Sequence, residues 1–242
     1  MTAENFEWAV RDAISRAPDS AWIHRDVALF GWGISTRIDA GTGADRFDRA
    51  LRRLSATTAP VALASFTFDE NDPGSVVVIP RVLMKIDTEG TRFLIGDPSD
   101  LPPAAPLTVL PDGSVGDDGL EVWMRLVGEA LDAIRERVVE KVVLSRRLPA
   151  RFEGQLPTHL VLSNLARNER GSHTFLVDGF VGSSPELLVS LAGGKVRSIS
   201  LAGSADPGDP GSAGFFDTEK MTREHALAAD SVDTALALFC TR

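Results

Sequence analysis

Hydrophobic residues recur along the chain with two periods, one helical and one typical of strands. Helical spacing predicts amphipathic helices near residues 5–17, 44–54, 120–140, 157–168 and 218–240. Alternating or continuous apolar runs predict strands near residues 22–34, 60–68, 74–86, 140–148, 173–177, 186–191 and 195–202. Turn-rich residues at 69–74 and 192–194 predict hairpins between their flanking strands. Successive strands with helices grouped between them predict an α+β fold with large antiparallel sheet layers flanked by helices.

The length and composition favour one globular domain. The chain has 242 residues, of which 43% are hydrophobic and 24% charged, so it can bury a sizeable core. No linker is long enough to separate two independent cores. Residues 97–119 hold five of the 14 prolines, which predicts an irregular segment that runs over the surface. The sequence therefore predicts a single domain over residues 1–242, with a subdomain seam near residues 97–119.

The charge balance argues against two classes of partner. The 34 acidic and 25 basic residues give a net charge of −9, which disfavours binding to nucleic acid or to an anionic membrane surface. An anionic small substrate would need a local cation to offset this field. The start of the chain lacks a signal-peptide pattern, the one cysteine cannot form an internal disulfide, and no apolar run is long enough for a bilayer. We expect a cytoplasmic protein.

Lys141 is the first unusual residue, because it heads the predicted strand "EKVVLSRRL" at residues 140–148. Lysine is depleted from strands and is rarely buried without a partner. The residue could be a strand-end lysine that reaches solvent or pairs with Glu140. It could instead be a partly desolvated amine that acts as a general base. Spacing alone leaves both interpretations open.

Three further stretches carry candidate chemistry. In "GSSPELL" at residues 182–188, a turn precedes Glu186, whose carboxylate is either at a sheet edge or placed for chemistry. This stretch does not match a nucleophile elbow, because the fifth position is glutamate and not glycine, so a serine hydrolase is disfavoured.

In "LAGSA", Gly203 either ends a strand or lets a ligand approach the backbone. In "EKMTREH", Glu219 and Arg223 fit a surface pair, and Mg²⁺ is the sensible metal if Glu224 is a ligand.

In order and spacing, these four stretches together resemble the chorismate-utilising enzymes, and among them the isochorismate synthases. The resemblance is strongest between Glu140 and Phe239. It implies that Lys141 is the general base that activates a water for attack at C2 of chorismate. It also implies that Glu186 is the general acid that protonates the departing C4 hydroxyl. Chorismate is therefore the implied substrate, and the implied fold is that of this family.

The same resemblance implies the remaining site residues. Gly203 and Ser204 match the positions that line the substrate site, and Glu224 matches a ligand of the Mg²⁺ cofactor. One departure is at Met221, where family members commonly carry an aspartate. The family also continues well beyond the position of Arg242. We therefore expect a fold that is incomplete at its C-terminus and a 242-residue form that is inactive on its own.

Alternatives to isochorismate synthase stay open at this point. Related enzymes that transfer ammonia to the same carbon usually lack the lysine, so Lys141 favours water as the nucleophile. Salicylate synthases share the lysine and continue to pyruvate elimination, so they are an alternative of the same family. A non-catalytic, truncated remnant is an alternative of a different class. The sequence does not distinguish a siderophore from a menaquinone pathway, and it does not predict the oligomeric state.

Overall fold

A computed structural model describes residues 1–116, 119–203 and 218–240. Its helices are α1 Ala3–Ser15, α2 Arg46–Leu54, α3 Leu120–Arg135, α4 Thr158–Asn168 and α5 Glu219–Ala237. Its strands are β1 Ser20–His24, β2 Val27–Asp39, β3 Leu63–Ser65, β4 Val76–Asp87, β5 Gly90–Ile95, β6 Gly113–Val115, β7 Ala150–Phe152, β8 His173–Val177, β9 Phe180–Ser184, β10 Ser190–Ala192 and β11 Lys195–Arg197. Each helix predicted from the sequence is present. None of the helices in the described part of the chain could cross a membrane.

The chain divides into two compact units. The first comprises residues 1–110 and 156–185, and the second comprises the described residues of 111–155 and 186–242. The chain crosses between them three times, so neither unit is a continuous segment. The single domain with a seam near residues 97–119 stays a prediction.

A seven-stranded antiparallel sheet forms the frame of the first unit. Its strand order is β3-β4-β2-β1-β8-β9, and β5 also pairs with β4. The longest pairing joins β2 and β4 and runs from Ala28 opposite Ile86 to Asp39 opposite Val76. The predicted long hairpin between residues 60–68 and 74–86 is wrong in extent, because β3 pairs with β4 over only Leu63–Ser65. The predicted α+β fold with a large antiparallel sheet is confirmed.

Helices α1 and α4 cover one face of this sheet and complete its core. Phe30 and Leu162 are fully buried there, and Ile14 is 2% exposed. Burial of such side chains contributes roughly 1.5–3 kcal/mol each. At the end of α1, the Trp32 indole N–H donates to the Arg16 carbonyl at 2.9 Å, so a buried polar group is satisfied at the margin of this core.

Strand β9 is not predicted from the sequence, in which Gly182, Ser183 and Ser184 suggest the opening of a turn. The structure places these residues in β9, opposite β8. The turn lies earlier, at Asp178 and Gly179, whose φ values are +50° and +82°. Two consecutive positive φ values match the tight hairpin turn that Asp-Gly favours. The dipeptide between two apolar runs was therefore the signal that could have found this hairpin.

The second unit contains α3, α5 and two small antiparallel strand pairs. Strands β6 and β7 form one pair, and β10 and β11 form a hairpin. The predicted turn of that hairpin is confirmed, with positive φ at Gly193 and Gly194. The three hydrophobic clusters among the described residues all belong to the first unit. No described residue of α3 is buried, whereas Met221 of α5 is 9% exposed.

Candidate active site

The segment that carries Lys141 leaves the C-terminal end of α3 through a sharp turn. The Val138 N–H donates to the Ala133 carbonyl at 2.9 Å, and the Arg137 N–H donates to the Ile134 carbonyl at 3.1 Å. Arg137 has a φ of +58°, in the left-handed region. Together these features make a Schellman-type helix end in which arginine occupies the position usually taken by glycine. The turn fixes the direction in which the chain approaches Lys141.

Lys141 is half-buried and does not lie in a strand. Residues 141–149 lie outside every helix and strand of the described chain, so the strand predicted at residues 140–148 is wrong. A strand exists only when its backbone groups pair with a neighbour, and no strand in the described ranges pairs with this segment. Within the described ranges, no sheet therefore holds Lys141 in place.

Helix α5 presents Glu224 and contacts the Lys141 segment. Thr218 caps the helix, because its Oγ1 accepts from the Met221 N–H at 3.3 Å. Arg223 Nη2 lies 3.9 Å from Glu140 Oε1. Glu140 directly precedes Lys141, and Arg223 directly precedes Glu224, which is half-buried. The structure thus brings the stretches "KVVLSRR" and "EKMTREH" together through their flanking charged residues.

This contact differs from both pairings that the sequence suggested. Local spacing suggested Lys141 with Glu140 and Glu219 with Arg223, but the observed ion pair joins Glu140 to Arg223. No local signal predicts a contact between residues so far apart in the chain. The contact between Glu140 and Arg223 is therefore the feature of this region that the sequence did not predict.

Glu186 lies in an extended segment beside the β10–β11 hairpin. The Ile199 N–H donates to the Leu187 carbonyl at 2.9 Å. The Ser198 hydroxyl donates to the Leu188 carbonyl at 2.7 Å. The predicted strand at residues 186–191 is wrong for its first four residues, because strand pairing begins at Ser190. The side chain of Glu186 is exposed.

Gly203 follows the same hairpin. It is exposed and has a φ of +81°, a conformation that glycine adopts without strain. The hydrogen bonds of Ser198 and Ile199 hold the "SPELL" stretch beside the chain that leads to Gly203. Ser204 lies outside the described residues. The "GSSPELL" stretch is therefore bonded to the residues that directly precede "LAGSA" in the chain.

The described residues do not make up a metal centre. Within residues 1–116, 119–203 and 218–240, no group of three or more His, Cys, Asp or Glu side chains could hold a metal ion. Mg²⁺ sites usually combine one or two protein carboxylates with water and substrate oxygens. Glu224 could supply one such carboxylate. The Mg²⁺ site stays a prediction.

Comparison with known proteins identifies the family to which these stretches belong. A family model described as "Chorismate binding enzyme" matches residues 104–242. The match covers more than half of the chain and includes all five predicted site residues. The chain belongs to the chorismate-binding enzyme family. The family resemblance seen in the sequence is thereby confirmed.

Curated relatives of this family member are named isochorismate synthases. Isochorismate synthase MenF of Bacillus subtilis is 32% identical over 129 residues, which cover 49% of this chain and 27% of the relative. Isochorismate synthase DhbC of the same organism is 28% identical over 218 residues, 81% of this chain and 52% of the relative. The chain thus spans about half the length of DhbC.

A solved structure confirms the fold. It is a Bacillus anthracis protein described as "putative 2,3-dihydroxybenzoate-specific isochorismate synthase, DhbC". The two chains superpose with a TM-score of 0.72 at 20% sequence identity, over 96% of this chain and 64% of the other. At this identity the likeness is evidence for the fold of the chorismate-binding enzyme and not for its activity.

Proposed function

We propose that this chorismate-binding chain belongs to an isochorismate synthase, which interconverts chorismate and isochorismate. One observation carries the proposal: the four stretches with candidate chemistry fall in family order inside residues 104–242, the part that matches the family model. The names of the relatives support the same activity. Because the chain spans about half of DhbC, the activity of the whole protein remains a proposal.

The reaction needs one group that removes a proton and one that donates a proton. In the proposal, Lys141 takes a proton from the water that attacks C2 of chorismate. Glu186 gives a proton to the C4 hydroxyl, which leaves as water while the ring double bonds shift. One water enters and one leaves, so the product is an isomer of the substrate. The residues therefore divide the roles of general base and general acid.

The electrostatics of the chain set a requirement for this substrate. Chorismate is a dianion, and the protein carries a net charge of −9. The bound substrate therefore needs a local cation to offset this field. Glu186 is exposed, so in the proposal the bound substrate excludes water from it. Glu224 is proposed as one ligand of Mg²⁺, and Glu224→Gln should raise the Mg²⁺ concentration needed for half-maximal turnover.

The test measures both turnover and binding. Purified chain is incubated with chorismate and Mg²⁺, the products are separated by chromatography, and chorismate binding is measured by calorimetry. Isochorismate formation that Lys141→Ala removes would support the proposal. Binding of chorismate without turnover would support the substrate together with the expected inactivity of the 242-residue form. Salicylate and pyruvate as products would replace the proposal with the salicylate synthase alternative.

Two results would overturn the proposal. One is a folded chain that neither binds nor converts chorismate, which would favour the non-catalytic remnant. The other is turnover that stays within about threefold of the parent in Lys141→Ala, because losing a general base typically costs roughly 10²–10⁴-fold. Circular dichroism of parent and variant establishes that the fold is retained in either case.

A further inference from the structure

Two histidines of the first unit lie face to face at the end of neighbouring strands. Strands β1 and β8 are antiparallel, with Ile23 opposite Thr174, so the next residues along, His24 and His173, are also opposite each other. The centroids of their imidazole rings are 3.7 Å apart, and the ring planes differ by 20°. Both side chains are half-buried. The pair lies outside the unit that holds the candidate active site.

The cross-strand positions of the two histidines suit joint ligation of one ion. Metal–nitrogen bonds of about 2.0–2.1 Å put two neighbouring imidazole nitrogens roughly 3–3.4 Å apart around a tetrahedral or square-planar ion. The stacked rings are not yet in that arrangement, because nearly parallel rings point their nitrogen lone pairs side by side. Opposite residues of an antiparallel pair have Cβ atoms about 4.5–5.5 Å apart, so rotation about the side-chain torsions would bring one nitrogen of each ring to a shared ion. Half-burial leaves an open side through which the ion and its water ligands can enter.

The protonation state of the pair also favours a metal. Burial is the main cause that lowers the pKa of both His24 and His173 below the ordinary value of 6.5. The imidazoles are therefore neutral at pH 7, and a neutral imidazole is the form that binds metal ions. Protons then compete little for the two nitrogens at that pH.

We propose that His24 and His173 form a binding site for one divalent transition-metal ion of the Cu²⁺, Ni²⁺ or Zn²⁺ class, with water completing its coordination. The ligand type selects this class, because imidazole suits these ions and is a poor ligand for Mg²⁺ or Ca²⁺. The order of affinities along the first-row metals predicts that Cu²⁺ binds most tightly. The site has only two protein ligands among the described residues, because no group of three or more His, Cys, Asp or Glu side chains there could hold a metal ion.

Neighbouring charges shape the affinity of this site. The Arg25 guanidinium lowers the pKa of both histidines through its charge, so it also opposes a bound cation. The Asp26 carboxylate has the opposite effect on His24. Both residues are exposed in the turn between β1 and β2, where solvent weakens their influence. Replacing Arg25 with Gln should therefore strengthen metal binding severalfold.

The test is a Cu²⁺ titration of the intact chain at pH 7.5. The Trp22 ring centroid lies 6.0 Å from that of His24 and 5.7 Å from that of His173, so bound Cu²⁺ should quench its fluorescence. We expect one equivalent to bind, with quenching that Trp22→Phe removes. His24→Asn and His173→Asn should each weaken binding at least tenfold. The other two histidines of the chain, His159 and His225, provide the matched controls His159→Asn and His225→Asn.

Two outcomes would overturn the proposal. One is equal Cu²⁺ affinity in the parent and all four histidine variants, and the other is a loss confined to the control variants. A second measurement keeps the test decisive if an Asn variant does not fold. In the parent chain, histidine-selective NMR during a Zn²⁺ titration should shift two imidazoles together and leave two unchanged, and any other pair than His24 and His173 would contradict the site.

Discussion

Glu140 Oε1 and Arg223 Nη2 lie 3.9 Å apart and join the two stretches that hold Lys141 and Glu224. The side chains are 68% and 71% exposed, so water competes strongly for the pair. Exposed ion pairs contribute little to stability. Their charges still favour one arrangement of the two stretches over others. This ion pair matters because Lys141, the proposed base, follows Glu140, and Glu224, the proposed metal ligand, follows Arg223.

Reversing the charge of Glu140 or of Arg223 should therefore destabilise the start of α5 slightly, and reversing both charges should cancel the effect. Glu140→Arg and Arg223→Glu should each loosen the start of α5, and the double variant should restore it. The expected coupling is about 0.2–1 kcal/mol. Hydrogen exchange of the α5 amides in the parent, both single variants and the double variant measures this coupling. A coupling of zero would mean that the pair does not form in solution.

Lys141→Ala and Glu186→Gln should affect chemistry and not folding. In a chain of full family length, we expect chorismate turnover to fall by roughly 10²–10⁴-fold in each, because each removes a general acid or base. Lys195→Ala and Glu153→Gln are matched controls, since both residues are exposed in the same unit and have no proposed role. Initial rates with Mg²⁺ for all four variants provide the measurement. If turnover falls equally in a variant and in its control, the catalytic role proposed for that residue is wrong.

The parts of the fold that burial determines could be predicted from the sequence. Helix α4 and strand β8 occur within a residue of their predicted bounds. Their apolar side chains are buried in the core, as for Leu162 and Leu176 at 0% and 1% exposure. The spacing of apolar residues along the sequence therefore shows which side of each element faces the core. The four stretches with candidate chemistry could also be identified, because each is a short motif of consecutive residues.

The parts that depend on distant partners could not be predicted in this way. The apolar pattern after Lys141 favours a strand, but pairing requires a neighbouring strand that local sequence does not specify. The same holds for residues 186–189, which run beside Ser198 and Ile199 without forming a ladder. The contact of Glu140 with Arg223 also has no local signal. These three failures lie in the second unit, where few described side chains are buried, whereas the short β3–β4 pairing and strand β9 belong to the first unit.

Arg137→Gly should stabilise the end of α3. Arg137 has a φ of +58°, which costs a residue with a side chain about 1–2 kcal/mol, whereas glycine avoids this strain. Part of the gain is offset because glycine loses more backbone entropy on folding. We expect a net gain of about 0.5–1 kcal/mol, measured by hydrogen exchange of the α3 amides. Arg135→Gly, within the last helical turn, should instead cost up to about 1 kcal/mol.

Stability should fall as the pH drops through the range in which the unfolded chain gains protons. The pKa values of His24 and His173 are lowered in the folded chain, first by burial and then by nearby charges: His173 and Arg25 for His24, and Arg25 for His173. Asp26 partly offsets this for His24. Below the ordinary pKa of 6.5, the unfolded state therefore binds more protons, and the free energy of unfolding decreases until the lowered pKa is passed.

Urea unfolding midpoints at pH 7.5 and 5.5 check this dependence. The drop between the two pH values should be smaller in His24→Asn and His173→Asn than in the parent. The control His225→Asn should keep the full drop, since His225 is exposed on α5. An identical drop in all four proteins would assign the pH dependence to groups other than the stacked pair.

The same Leu→Ala substitution should lower the free energy of unfolding more in the first unit than in the second. Leu83 is 0% exposed in β4, whereas Leu131 of α3 is 48% exposed. Leu83→Ala removes buried contacts and leaves a cavity, so it should cost about 2–5 kcal/mol of unfolding free energy. Leu131→Ala removes a half-exposed side chain and should cost less than about 1 kcal/mol. Urea unfolding followed by hydrogen exchange in β4 and in α3 measures both. A loss at Leu131 as large as that at Leu83 would mean that, in solution, this face of α3 is buried against a partner.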